Sequence, residues 1–302
     1  MKAKVTSTTL NVRQAPNANA PILGKLLFRS IIDIESFVDG WAKLKYRNNT
    51  AYVSATYIKT IDEGDGAFFH QRQRFLTVPM EPVNKLPEPT DVFSKLPVKI
   101  WNSYGNLLKA LSNDLGIEPS CAVAVFCKES GGTGIWQTGK SLIRFENHVF
   151  YDRWGKLTPE NQALFTKHFK GTENWKGHAF RPNEQTEWIT FHGKQELEWQ
   201  VLEFAMKLNE EGALKSISMG APQIMGAYHQ AIGYNTVNDM FQKFNYEMRF
   251  QIFGFFDFLT PQMIESLRTL DFVTFARFYN GSGQEQIYGA DMLKFYKALP
   301  KL

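Results

Sequence analysis

The 302-residue sequence predicts two unlike parts: a small all-β barrel over residues 1–62, then a mainly α domain with some β structure over residues 98–302. Three observations predict this. Short runs with a period of two, separated by turn residues, fill the first part. Prolines at 79, 82, 87, 89 and 97 disfavour helix in the middle, which marks residues 63–97 as a linker and docking segment. From Trp101 onward, apolar residues recur at spacings of three and four.

In the first part, Leu10-Asn-Val-Arg13 reads as a strand followed by a turn-prone run from Gln14 to Asn19. Ile31 to Val38 is rich in β-branched residues, and Asp39-Gly40 gives a tight turn. Ala42, Leu44 and Tyr46 alternate with Trp41, Lys43 and Lys45, the period of a half-buried strand. Asn48-Asn49 is the next turn, and Ala51-Tyr-Val53 a further strand. In the middle, Asp62 to Gly66 is a polar break, whereas Phe68-Phe69 and Phe75-Leu76 are too apolar for a free linker and predict docking.

In the second part, Trp101, Tyr104, Leu107, Leu108 and Leu111 share one helical face, and Gly116 ends that helix. Pro119 opens the next helix at an N1-like position, and Gly131-Gly132 closes it. Between them Ala122 to Phe126 leave almost no polar face, so this helix should be buried. Leu142 to Tyr151 reads as a strand or an irregular arm, and residues 171–193 have no clear period. Leu197, Val201, Phe204, Ala205 and Leu208 define another helix, and aromatic helices fill residues 236–300.

Composition sets limits on function. The chain is 43% hydrophobic and 21% charged, as expected of a soluble globular protein. No apolar run approaches the ~20 residues of a membrane-spanning helix. Lysines at the N-terminus are not followed by an apolar core, so no signal peptide is expected. Residues 1–61 hold nine Lys/Arg and three acids, a charge of +6 against +4 for the whole chain, which suggests that this module meets a polyanion. No helix-turn-helix or basic helix points to nucleic acid. Cys121 and Cys127 lie about 9 Å apart along their helix, too far for a disulfide, and read as core thiols. Histidines 70, 148, 168, 178, 192 and 229 form no HExxH or Cys/His ligand cluster, so no metal is expected.

Glu129, on the last turn of the apolar helix, is the candidate catalytic residue. Burial and the negative helix end both raise a carboxyl pKa, as a general acid requires. Three short motifs follow in order: Glu129-Ser130-Gly-Gly, Ser218-Met-Gly220-Ala-Pro-Gln223-Ile-Met-Gly226, and Ala276-Arg-Phe-Tyr279-Asn280-Gly281. Together they resemble the signatures of lysozyme-like glycosidases and lytic transglycosylases. With Tyr104-Gly105, Leu115-Gly-Ile117 and Arg144-Phe-Glu-Asn-His148-Val-Phe150, residues 98–302 are similar to the N-acetylmuramidase family of phage endolysins.

The first part resembles a bacterial SH3-like domain, through Leu-Asn-Val-Arg at 10–13, Pro16, Gly24, Gly40-Trp41, Lys43-Leu-Lys-Tyr46 and Ala51-Tyr-Val-Ser54 before Tyr57-Ile-Lys59. Ala51 stands where that family usually has glycine.

The resemblance implies a small SH3-like barrel that binds the cell wall, followed by a lysozyme-like (α+β) domain that cleaves peptidoglycan. Glu129 is then the general acid, and Ser130, Ser218, Gln223, Tyr279 and Asn280 contact substrate. A second carboxylate would come from the segment after the acid helix, with Glu146 the candidate base and Asp152, beside Arg153, more in keeping with a surface ion pair. No cofactor is implied, and a monomer is expected. A phage enzyme without a signal peptide would wait in the host cytoplasm until a holin or another route delivers it to the wall. Rival readings are a lytic transglycosylase, which needs no second carboxylate, a chitinase, and a non-catalytic wall-binding protein.

Overall fold

The computed structural model describes residues 1–7, 9–27, 30–47, 49–61, 74–174 and 176–302. The N-terminal module comprises β1 (Lys2–Val5), β2 (Thr9–Arg13), β3 (Ile22–Leu27), β4 (Ile31–Val38), β5 (Trp41–Tyr46), β6 (Asn49–Ser54) and β7 (Ile58–Ile61). These strands form one antiparallel sheet in the order β3-β2-β6-β5-β4-β1-β7. Asp39 and Gly40 both have positive φ, 47° and 78°, and pair Val38 with Trp41 across a two-residue turn. Alternation does the rest: Val5, Leu10, Val12, Ile34, Ala42, Leu44, Ala51 and Val53 fill the module's own core. Ala51 is fully buried there, so its methyl is accommodated. Asn48 and the Phe68-Phe69 pair lie outside the described residues.

Residues 74–91 run along the helical body. Phe75 joins its core, while Leu76 stays exposed. The Arg249 guanidinium donates to the Phe75 and Val78 carbonyls at 2.9 and 2.7 Å. The Asn102 carboxamide brackets the Leu86 backbone, donating and accepting at 2.8 Å.

The first helix, α1 (Val92–Leu115), starts six residues ahead of the predicted boundary at 98 and contains Pro97, a residue expected to disfavour helix. Two features override the proline. Asp91 caps the helix by accepting from Ser94 N–H at 2.8 Å, and Val98, Ile100, Trp101, Leu107, Leu108 and Leu111 bury one face. An internal proline costs about 3 kcal/mol, and this burial offsets it. Gly116, at φ 64°, ends the helix as predicted.

Helix α2 (Pro119–Ser130) packs between α1 and α10 (Glu285–Lys297), and every residue from Pro119 to Cys127 is buried. Both cysteines are free, and burial pushes their thiols up to about 12. Beyond it, β8 (Ile143–Phe145), β11 (Ile217–Met219) and β12 (Ile224–Met225) make a small antiparallel sheet in the order β12-β11-β8. Ile143, Phe145, Ile217, Met219 and Ile224 face the core, and Arg144 stands opposite Ser218 on the other face.

Between β8 and β11 come α3 (Asn147–Phe150), a π-helical turn at Tyr151–Gly155, α4 (Pro159–His168), the pair β9 (Phe169–Lys170) and β10 (Ala179–Phe180), and α5 (Gln195–Lys215). Helix α5 kinks at Asn209, immediately after the apolar stripe ends at Leu208. Asn209 Oδ1 accepts from Gly212 N–H at 2.7 Å and so starts the second half. The chain closes with α6 (Val237–Tyr246), α7 (Met248–Phe258), α8 (Pro261–Arg268), α9 (Phe272–Asn280) and α10. No helix among the described residues is long and apolar enough to cross a membrane.

Candidate active site

Glu129 occupies the last turn of α2, where Gly131 and Gly132 adopt left-handed conformations, with φ 61° and 69°. Their amides donate back to the Cys127 and Phe126 carbonyls and stop the helix. A Cβ on Gly132 would collide with Ile100, so only glycine lets the chain leave so close to α1.

Burial pushes the Glu129 carboxyl up to about 7, against the opposing pull of Asn280 and Lys128. Asn280 Nδ2 donates to Glu129 Oε1 at 2.9 Å. The Lys128 charge is largely answered by Asp291, at 2.7 Å, with the ammonium also over the Tyr288 ring. Next to Glu129, the buried Ser130 hydroxyl has no hydrogen-bond partner among the described residues.

Tyr279 ties this end of α2 to the loop after β11. Its hydroxyl donates to the Pro222 carbonyl at 2.7 Å, and its ring packs on Phe275 and Phe258. Burial, and then the nearby Glu129 charge, hold its phenol well above the ordinary value. Within the loop, Ser218 Oγ donates to Gln223 Oε1 at 2.9 Å and Gln223 Nε2 donates to the Gly220 carbonyl at 2.8 Å. Gln223 has φ 50°, a strained backbone that aims its carboxamide. Ser218, Gln223, Tyr279, Asn280 and Glu129 are thus linked through adjoining contacts.

No sequence motif marks Gln251, yet it supports this loop. It is fully buried on α7, and its Oε1 accepts from Ala221 N–H at 2.8 Å. Its Nε2 donates to the Phe244 and Gly134 carbonyls at 2.8 and 3.1 Å. A Cβ on Gly134 or Gly220 would overlap its carboxamide. The available signal was a lone amide in the apolar run Met248-Arg-Phe-Gln-Ile-Phe-Gly-Phe-Phe-Asp-Phe258.

Glu146 belongs to a different group. Its Oε1 accepts from Arg144 Nε at 2.8 Å, and its Oε2 lies 3.6 Å from both His148 Nδ1 and His178 Nδ1. Asp152 makes a surface ion pair, as expected, with Lys156 at 2.6 Å. The sequence predicts no metal-ligand cluster, and the structure differs because its residues are distant in the chain. The fold brings donor atoms of Glu146, His178 and His192, from three separate segments, within 4.8 Å of one another. Burial is the main reason that His178 is pushed down to about 4.

On the N-terminal module, Ser7, Asn11, Arg13, Trp41 and Tyr57 line part of a cavity of about 520 Å³.

Comparison with known proteins agrees with this layout. The N-acetylmuramidase family profile matches residues 118–300, and the bacterial SH3 domain profile matches residues 8–59. A curated relative, described as a probable endopeptidase p60 of Listeria grayi, is 40% identical over 60 residues. That match takes in 19% of this chain and only 12% of the relative's length. A crystal structure of the Burkholderia AP3 phage endolysin superposes with a TM-score of 0.51 at 24% identity, covering 63% of this chain and 68% of that one. At that identity the likeness is one of fold.

Proposed function

Since the chain belongs to the N-acetylmuramidase family and carries a bacterial SH3 domain, we propose that it cleaves the β-1,4 bond between N-acetylmuramic acid and N-acetylglucosamine in peptidoglycan, with Glu129 as general acid. The observation that carries this reading is a buried carboxyl at the end of an apolar helix, raised to about 7 beside a Ser130 hydroxyl with no partner among the described residues. Protonated near neutral pH, Glu129 gives its proton to the bridging oxygen as the bond from the anomeric carbon breaks and oxocarbenium character develops. Ser218 and Gln223 offer a hydroxyl and a carboxamide to the sugar or to a water. Asn280 holds the acid, and Tyr279 holds the loop.

Two courses complete the reaction. In hydrolysis, water attacks with Glu146 as base, at roughly 6.5–9.5 Å from the acid in an inverting enzyme. In a lytic transglycosylase, the sugar's own 6-hydroxyl attacks the anomeric carbon, gives its proton to the now ionised Glu129 carboxylate and leaves a 1,6-anhydro product. The placement of Glu146 favours the second course, because Arg144 holds one oxygen and the other is turned into the histidine group. The cavity lined by Trp41, Tyr57 and Arg13 of the SH3 module, with Gln262 of α8 also on its wall, fits a polar, anionic wall component and would keep the enzyme on its polymer. An endolysin role fits that pairing of wall module and glycosidase.

Mass spectrometry of fragments from purified peptidoglycan tests the reading. Reducing N-acetylmuramic acid ends indicate hydrolysis, and 1,6-anhydro ends the second course. Intact glycan with protein still bound to the wall would overturn both in favour of a binding protein.

The Asn280 contact makes a separate prediction. Its hydrogen bond lowers the Glu129 pKa, so Asn280→Ala raises it further. Activity then survives to higher pH, with the alkaline limb of kcat/KM moving up by about 0.5–1 pH unit. An unmoved limb would show that this contact does not tune the acid.

A further inference from the structure

The partners of His178 and His192 fix where their lone pairs lie. His178 Nε2 stands 2.9 Å from the carbonyl oxygen of Asn174, which only accepts, so Nε2 carries the proton and Nδ1 the lone pair. His192 Nδ1 stands 3.0 Å from Oε1 of the buried Glu198, whose Oε2 accepts from Phe145 N–H at 2.8 Å. The carboxylate acts as acceptor on both sides, so His192 Nδ1 carries the proton and Nε2 the lone pair. The two lone pairs then face each other across 2.8 Å. Oε2 of Glu146 lies 3.6 Å from His178 Nδ1 and is buried without a hydrogen-bond partner among the described residues. Three acceptors converge; His148 Nδ1 stands beside them, 3.3 Å from His178 Nε2 and 3.6 Å from Glu146 Oε2, beyond hydrogen-bond distance of that oxygen. Buried acceptors are ordinarily satisfied, and facing lone pairs repel.

We propose that Glu146, His178 and His192 bind one divalent cation of the zinc class, with Glu198 as the outer carboxylate that orients His192. A cation satisfies all three acceptors at once, whereas a proton shared by the two imidazoles would leave Glu146 Oε2 with only the long 3.6 Å approach of His148 Nδ1. Two imidazoles and one carboxylate suit zinc better than the all-oxygen sets of magnesium or calcium. A tetrahedral zinc sets its ligand atoms about 3.4 Å apart, and these donors, within 4.8 Å of one another, reach that by small side-chain rotations. The hydrogen bond from His192 to Glu198 is the outer-shell contact that metal-bound histidines usually make.

The three ligands are separated by 31 and 13 residues in the chain, so no short motif announces them. They sit just past β8, just before β10 and just before α5, and the cation clips these three segments together. A Glu146 engaged in this way is not free to activate water, which places the site alongside the course that needs no second carboxylate.

The test is metal binding by the full chain, purified without a histidine tag and stripped with chelator. The expected result is about one zinc per chain by mass spectrometry after gel filtration, with a Tm rise of at least about 3 °C. Cobalt should give the intense visible bands of a tetrahedral site, a readout that needs no variant. Zinc uptake should fall at least tenfold in His178→Ala and in His192→Ala. No uptake of zinc or cobalt at micromolar concentration, or full uptake by both variants, overturns the proposal, as does nitrogen NMR of the stripped protein showing a shared imidazolium that zinc does not displace. None of these readouts depends on glycan cleavage, so they stand or fall apart from the role of Glu129.

Discussion

Glu129→Gln is expected to lower turnover on purified peptidoglycan by about a thousandfold or more, while making the folded protein more stable above pH 7. A positioned general acid contributes typically 10²–10⁴ in rate, and glutamine has no proton to give at this pH. The amide keeps an oxygen for Asn280 Nδ2 at the same place, so the loss is chemical and not structural. The stability gain follows from the same burial. Glu129 titrates near 7 in the fold against 4.5 ordinarily. Between those values the native state holds the extra proton, so wild-type stability declines as pH rises from 4.5 to 7 and stays reduced above. Glutamine carries no such penalty, which is worth about 2 kcal/mol once partial solvent access is allowed for. Urea titrations at pH 5 and pH 8 measure it: the two proteins should nearly coincide at pH 5, and the variant should lead at pH 8. Retained turnover would remove Glu129 from the chemistry. Equal stability at both pH values would show that its carboxyl is ordinarily solvated.

Part of this site is legible in the sequence because its causes are local. An apolar run from Ala122 to Phe126 cannot face water, so whatever ends that helix is drawn into the interior with it. Gly131-Gly132 marks the end, and Glu129 follows from counting back. The β module is legible for the same reason, because its period of two specifies which side of each strand is buried. Pro97 was misleading because propensity is local, whereas the buried face that carries α1 through it is assembled by other helices. The histidine group was illegible because no spacing rule connects residue 146 to residues 178 and 192. Only the return of the chain through β9 and β10 does so. Glu146 had the right residue type and neighbourhood for a base, but the partners of a carboxylate oxygen come from the fold.

Gln251→Leu carries the largest expected cost in stability. Its side chain accepts from the loop amide at Ala221 and joins that loop to the Gly134 turn and the end of α6. Leucine fills a similar volume but leaves the Ala221 N–H, in the buried interior, without its acceptor. It also takes one donor each from the Phe244 and Gly134 carbonyls; Gly134 retains Leu142 N–H at 2.9 Å. Buried groups stripped of a partner cost about 1–3 kcal/mol apiece, so a loss of roughly 3–5 kcal/mol is expected, read as the shift in urea midpoint at constant m. The consequence for activity comes through geometry. Gly220 approaches the Gln251 carboxamide so closely that a Cβ there would overlap it, and Gln223, three residues on, holds a strained φ of 50°. Freed of this restraint, Gln223 should relax to an ordinary conformation and release Ser218. Turnover measured well below the variant's melting temperature should then fall at least tenfold, with the pH limb set by Glu129 unmoved, because α2 and Asn280 are untouched. A variant that melts early yet keeps full turnover while folded would show that the Gln223 loop needs no support from α7. An unchanged urea midpoint would mean that the loop amide finds another acceptor.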